Sequence, residues 1–263
     1  MKHPLICSFL VLAVLPGCSP TEKNWESTTP SVRVRLTTFE RTIGGPTAGT
    51  GGGASVKLEY PVVIEGPNSA ALDSLNRFIR EAALRSGSDE KVYADPEPLA
   101  EEFFGSFREV TRAFPGYQYR WFLERRISLI NDATGIVTLA AEERVYEGGA
   151  HPNSVRLHIV VDTKTGRRLA LNDVIRQGSR KRLVEVAERA FRSRKGIRTG
   201  DDLATEGYWF KGNLFDVTEN FGLAKTGLLF YYNSYEIAPY SAGPTELLIP
   251  YEDLEEILNL PGR

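Results

Sequence analysis

The feature that most constrains this chain is its first eighteen residues, because they decide which part of the sequence has to fold. Met1-Lys2-His3 is short and weakly basic, and ten of the twelve residues from 4 to 15 are apolar. This layout is typical of a secretory signal, and the apolar run is too short to span a bilayer. Removal of residues 1–17 leaves 246 of the 263 residues, which is enough for one large domain or two small ones.

The end of this segment, Leu15-Pro16-Gly17-Cys18, resembles a bacterial lipobox, and the resemblance implies that Cys18 becomes a lipid-bearing N-terminus. The alternative is a secreted soluble protein in which this cysteine is incidental. If the lipobox is real, Cys7 is discarded, so disulfides are excluded and the apolar core must supply the stability. By resemblance to Gram-negative sorting rules, Ser19 favours an outer-membrane anchor that faces the periplasm. We therefore expect a lipid-anchored protein of the cell envelope that contacts membrane lipid through acylated Cys18.

The net charge of −2 conceals an uneven distribution. Residues 164–198 contain twelve Lys or Arg and three acids, whereas residues 199–263 contain eleven Asp or Glu and three bases. One interpretation is that the two regions neutralise each other in the fold. The other is a basic face toward anionic lipid or wall polymer and an acidic face toward a cationic partner.

Hydrophobic periodicity predicts both strands and helices. Apolar residues alternate within residues 32–36, 56–60, 119–129, 137–146 and 155–161, which indicates strands. Helical spacing predicts a helix capped by Asn68, a second over 99–114, a third over 178–195 and a short closing helix after Pro250. Further strands are expected at 228–232 and 247–249.

This pattern predicts the α+β class, with twisted, mostly antiparallel sheets and several helices packed on one face. Residues 18–31 are polar with two prolines and are expected to form a flexible tether behind the lipid. We expect an N-terminal α+β domain over 32–150 and a C-terminal α+β domain over 151–263, which can also pack as one unit.

Two segments supply the candidate site residues. The first contains Tyr146, Gly148, Gly149 and His151, followed by Asp162; its glycines permit unusual backbone angles, so the imidazole can hold a turn or contact a ligand. The second is rich in tyrosine. Its aromatic rings either fill the core or line a binding groove, and the residues considered for such a surface are Tyr232, Asn233, Tyr235 and Tyr240.

Residues 146–153, 161–174, 231–243 and 249–251 together resemble a bacterial envelope domain of unknown function. That domain occurs in lysozyme-binding anti-sigma factors of the sigma-V type. It also occurs, with a companion N-terminal domain, beside the catalytic part of some peptidoglycan deacetylases. The resemblance covers roughly residues 116–258, and the N-terminal part resembles the companion domain more loosely. It implies an envelope protein with a protein or wall partner, and no contact residue can be carried over from it.

The first functional hypothesis is a non-enzymatic binding or sensing module for a lysozyme-like protein or for cell-wall glycan such as peptidoglycan. The second is a wall-modifying hydrolase that uses His151, Glu147 and Asp162, and the third is a structural scaffold. No catalytic residue, metal site or cofactor is assigned. Nucleic acid is not expected as a partner, because the basic segment 180–198 lacks interleaved aromatic residues.

Overall fold

The computed structural model describes residues 31–44, 52–133 and 135–260. The signal segment, Cys18 and all but the last residue of the 18–31 tether lie outside these residues, as does most of the glycine-rich loop after residue 44. The fold class is confirmed as α+β, because the described residues form two mostly antiparallel sheets and four α-helices.

The larger sheet has five strands in the order in which they occur along the chain. They are β1 (Arg33–Gly44), β2 (Gly53–Glu65), β3 (Arg120–Ala133), β4 (Ile136–Tyr146) and β5 (Asn153–Asp162). Strands β2 and β3 are parallel, and the other neighbours are antiparallel. The parallel pair requires a long crossover, which contains two helices.

Helices α1 (Ser69–Leu84) and α2 (Pro96–Ala113) form this crossover and cover one face of the sheet. Asn68 caps α1 as the sequence predicts, because its Oδ1 accepts a hydrogen bond from the Ala71 amide at 2.8 Å. Leu75 and Phe104, fully buried, pack with Val56 and Leu139 in one apolar core. We call this side of the sheet the helix face and the opposite side the cleft face.

The C-terminal part adds a second core. It contains α3 (Leu171–Val174), α4 (Arg180–Lys195) and a three-stranded antiparallel sheet. The strands are β6 (Phe221–Leu223), β7 (Gly227–Tyr232) and β8 (Thr245–Pro250). Helix α4 ends at Gly196, whose φ of 70° provides the left-handed cap that glycine adopts without strain.

Strands β4 and β5 contribute to both cores. Val137 and Ile159 face the core under α1 and α2, whereas Ile136 and Val160 face the core of the C-terminal part. The boundary expected at residue 150 therefore lies in the turn between two strands of one sheet, and β5 begins the C-terminal half while pairing with β4. The assignment of two domains stays a prediction.

The short closing helix expected after Pro250 is present only as a 3-10 helix over Tyr251–Leu254, shorter than the predicted apolar spacing through Leu258. The chain then becomes extended, because Leu258 forms a β-bridge with Ile175 and the Asn259 amide donates to the Val174 carbonyl at 2.8 Å. Tertiary pairing at this point overrides the local helical spacing.

Candidate functional site

The cleft face of the larger sheet carries a two-row lattice of alternating charges. Cross-strand register produces it, because directly opposed residues of neighbouring strands share a face. In one row Lys57 lies opposite Glu124, which lies opposite Arg144. The other row lies two residues further along β2 and β3, and two residues earlier along antiparallel β4. It reads Glu59, Arg126, Glu142 and Arg156 of β5.

This lattice forms the floor of a cleft of about 420 Å³. Tyr231, Ser234 and Pro244 of the C-terminal part line its wall. The guanidinium of Arg156 lies 4.6 Å from the centre of the Tyr231 ring, a cation–π contact that joins floor to wall.

Two asparagines fix this wall to the edge of β5. Asn233 Oδ1 accepts from the Arg156 amide at 2.7 Å, and Asn220 Oδ1 accepts from the His158 amide at 2.8 Å. Both Nδ2 groups donate to the Arg156 carbonyl, at 3.1 and 2.7 Å. These side chains replace a neighbouring strand, so the position of the wall is set by directional hydrogen bonds.

Ion pairing in the cleft is uneven. Arg156 binds two carboxylates, Glu142 at 2.5 Å and Glu246 of β8 at 3.0 Å. Glu59 binds two cations, Lys57 at 3.0 Å and Arg126 at 3.7 Å. One acid is therefore in excess near the wall, and one cation is in excess near the centre of the sheet.

His151, Tyr235 and Tyr240 form an aromatic corner, and they are close along the chain to the cleft residues Ser154, Ser234 and Pro244. The rings of His151 and Tyr240 stack with centroids 3.8 Å apart, and Tyr235 lies 5.6 Å from Tyr240. Tyr240 donates its hydroxyl hydrogen to the Pro152 carbonyl at 3.1 Å. Tyr235 is exposed and has a φ of 69°, a strained conformation for a residue other than glycine.

The first candidate segment builds the turn that leads into this corner. Tyr146 donates to the Gly149 carbonyl at 2.8 Å, and His151 Nδ1 lies 2.9 Å from the Pro152 carbonyl. Gly148 and Gly149 have positive φ values of 91° and 114°. A Cβ at position 148 would lie 2.4 Å from the Tyr117 hydroxyl, so a larger residue there would have to displace this hydroxyl.

The structure does not bring the three proposed hydrolase residues together. Asp162 ends β5 and accepts hydrogen bonds from the Lys164 amide and the Thr165 hydroxyl, which closes the following turn. His151 precedes the other end of that strand, roughly 30 Å away at the usual strand rise. Burial raises the pKa of Glu147, and the negative charge of Glu143 raises it further.

The tyrosine-rich segment divides between core and surface. In the aromatic corner Tyr235 is exposed and Tyr240 is half-buried, but Tyr232 is buried and takes no part in it. The Tyr232 hydroxyl donates to the Asp216 carbonyl at 2.8 Å, and burial raises its pKa. Asn233 is also buried and acts as the strand-edge anchor described above.

The basic and acidic regions are partly joined, since Arg180 pairs with Asp216 and Glu219, and Arg198 with Asp201. Glu252, Asp253 and Glu256 remain exposed near the C-terminus and form an acidic rim. Within residues 31–44, 52–133 and 135–260, no three His, Cys, Asp or Glu side chains form a group that could hold a metal ion.

Comparison with known proteins relates the chain to a family but not to an activity. Residues 172–252 match a family of proteins of unknown function, DUF3298. A member of that family from Bacteroides fragilis is similar over 88% of this chain and 96% of its own, with 21% identity and a TM-score of 0.67.

A DUF3298 family protein from Pseudomonas aeruginosa covers 88% of this chain and 95% of its own, with 20% identity and a TM-score of 0.64. At these identities the likeness establishes the fold alone. No curated protein shows significant similarity to the chain. Among the helices of the described residues, none combines the length and apolarity needed to cross a membrane.

Proposed function

We propose that this chain is a non-enzymatic binding module of the cell envelope that holds cell-wall glycan in the charged cleft. The proposal rests on two features, the charged lattice on the cleft floor and the aromatic corner with its exposed His151 and Tyr235. Stacked rings offer flat apolar surface to a sugar, while carboxylate and guanidinium groups accept from and donate to its hydroxyls.

The balance of charge in the cleft favours a polar ligand without a large net charge. Four cations face four carboxylates, counting Glu246 with the lattice. A strongly anionic or cationic polymer gains little from such a surface, because attraction at one group is offset by repulsion at the next. A wall glycan with its hydroxyl, amide and scattered charged groups matches it better.

The ion pairing also supports binding over hydrolysis. Glycoside hydrolysis requires two carboxyl groups that flank the scissile bond. In the cleft, Glu59, Glu124 and Glu142 each lie within 3.2 Å of a lysine or arginine, so all three side chains are already engaged in ion pairs.

The second part of the proposal is the anchor. Cys18 in the lipobox-like segment would carry the lipid, and residues 19–31 would give the folded part reach from the membrane, facing the periplasm in a Gram-negative host. A Cys18→Ala variant should move from the membrane to the soluble fraction. A variant that stays in the membrane fraction would contradict the anchor and leave the cleft proposal intact.

A lysozyme-like cationic protein is the second candidate partner. The acidic rim of Glu252, Asp253 and Glu256 favours it, since exposed carboxylates attract a basic surface. Binding at this rim would weaken steeply with salt, whereas sugar stacking in the aromatic corner would not.

Calorimetry of the full-length protein with soluble wall fragments tests the proposal. We expect binding in the micromolar range, and about a fivefold loss for Tyr240→Ala, because the stacked ring supplies contact worth roughly 1 kcal/mol. Trp209→Ala is the matched control, since Trp209 is a half-exposed aromatic residue outside the cleft and the corner. No heat at about 100 μM ligand, or equal losses in both variants, would contradict the cleft as a glycan site.

A further inference from the structure

We infer that the cleft recognises a zwitterionic peptide segment of the wall polymer, with the ligand carboxylate at Arg126 and the ligand ammonium at Glu246. This inference rests on the proposed function and names the part of the polymer that the lattice selects. It follows from the unequal distribution of ion pairs in the cleft and from the spacing of the two unbalanced groups.

The cationic end of the cleft is Arg126, on the central strand of the larger sheet. Among the described residues its ion-pair partner is Glu59, at 3.7 Å, and Lys57 already holds that carboxylate at 3.0 Å. The Arg126 side chain is 68% exposed. Its planar guanidinium can therefore accept a ligand carboxylate through two parallel hydrogen bonds.

The anionic end lies at the wall. Arg156 is a single cation shared by Glu142 and Glu246, and it is also positioned over the Tyr231 ring. Glu246 of β8 lies opposite the cleft residue Tyr231 in the β7–β8 register, and its side chain is 45% exposed, so it is accessible to a ligand ammonium. Such a group would neutralise the excess negative charge that one arginine leaves.

The separation of the two ends sets the size of the ligand. Arg126, Glu142 and Arg156 occupy consecutive strands, which are spaced about 4.8 Å apart. Arg126 and Arg156 are therefore about 10 Å apart at the backbone, and Glu246 is paired with the guanidinium of Arg156 at 3.0 Å. A single amino acid is too short, whereas an extended peptide of three or four residues spans this distance at about 3.3 Å per residue.

The test compares four probes by calorimetry with the full-length protein. They are a disaccharide–peptide wall fragment with a free amine and free carboxylates, the same fragment N-acetylated, the same fragment amidated, and the disaccharide without peptide. We expect each blocking step to weaken binding by about two- to fivefold, as for one partly exposed charge contact.

Two variants connect each probe group to one side chain. Arg126→Gln should weaken binding of the unmodified fragment but not of the amidated one. Glu246→Gln should weaken binding of the unmodified fragment but not of the N-acetylated one. Arg33→Gln and Glu65→Gln are matched controls, because this exposed ion pair lies on the same sheet outside the cleft, and both should bind like the wild type.

The outcomes separate this inference from the proposed function. Equal affinity for all four probes, with both cleft variants like wild type, would overturn the inference and leave glycan binding in place. The inference also falls if the variants weaken binding of the blocked fragments as much as of the unmodified one. Failure of every probe to bind would contradict the proposed function itself, and the inference with it.

Discussion

The two faces of the larger sheet use charged residues in opposite ways. On the helix face, Arg125 is buried, pairs with Glu143 at 2.7 Å and donates to the carbonyls of Ala83 and Arg85 at the end of α1. On the cleft face, the next residue, Arg126, is exposed and has only a loose ion pair among the described residues. Neighbouring arginines therefore serve packing on one side and remain available to a ligand on the other.

Ion pairs of similar chemistry therefore contribute differently to the free energy of unfolding, depending on whether they are buried. A buried pair leaves an uncompensated charge when one partner is removed, whereas an exposed pair is replaced by water at little cost. The exposed lattice adds little stability, so its ion pairs can be exchanged for contacts to a ligand without destabilising the fold. Three predictions about the stability of variants test this difference between the two faces.

The largest expected effect comes from the adjacent arginines. Arg125→Ala should lower the free energy of unfolding by about 3 kcal/mol, because Glu143 and two helix-end carbonyls lose their donor. Arg126→Ala should change it by less than about 0.5 kcal/mol. Urea unfolding of both variants measures the difference, and similar losses would show that the two faces do not differ in this way.

A smaller effect is expected in the β4–β5 turn, where the two faces meet. Gly148→Ala should cost about 2 kcal/mol, from backbone strain at positive φ and from displacement of the Tyr117 hydroxyl, which accepts from Trp121 Nε1 at 2.7 Å. Gly149→Ala should cost about 1 kcal/mol, from strain alone, because its Cβ would meet open space. Thermal unfolding that ranks the two variants in the reverse order would contradict this packing.

The smallest effect concerns pH. Burial lowers the pKa of His158, and nearby Arg156 lowers it further against the opposing influence of Asn220, Glu246 and Glu142. Below about pH 6.5 the His158 imidazole therefore binds a proton more readily in the unfolded chain than in the folded chain. Its stabilising contribution is present above that pH and is lost as the pH falls.

His158→Gln should flatten the decline in stability between pH 7 and pH 5, as measured by thermal unfolding across that range. The matched control is His151→Gln, which replaces the exposed histidine and reports the effect of the substitution itself away from the buried site. An unaltered decline in the His158 variant would contradict a neutral, buried imidazole between the two sheets.

Local patterns predicted most of the secondary structure, because strand alternation and helix capping depend on neighbouring residues. Asn68 and the alternating residues of β3, β4 and β5 are examples. The charge lattice was missed, since Lys57, Glu124 and Glu142 resemble an ordinary solvated face until register aligns them. That register is set by the parallel pairing of β2 with β3, which are separated in the chain by two helices. Alternation within a single strand does not predict it.

The aromatic corner was predicted in part. The sequence drew attention to His151, Tyr235 and Tyr240, but it did not pair them, because the His151–Tyr240 stack joins distant parts of the chain. It also grouped Tyr232 with the surface residues. Strand alternation places neighbouring tyrosines on opposite sides of β7, but only the packing of the second core shows that Tyr232 is enclosed by it.

Hydrogen–deuterium exchange of the full-length protein, with and without saturating wall fragment, tests whether the ligand binds in the cleft. The cleft account predicts slower exchange in residues 147–153 and 233–244, the segments that form the turn and rim around the cleft, with no change in residues 252–256. Slower exchange confined to residues 252–256, or none in the two rim segments at saturation, would contradict it.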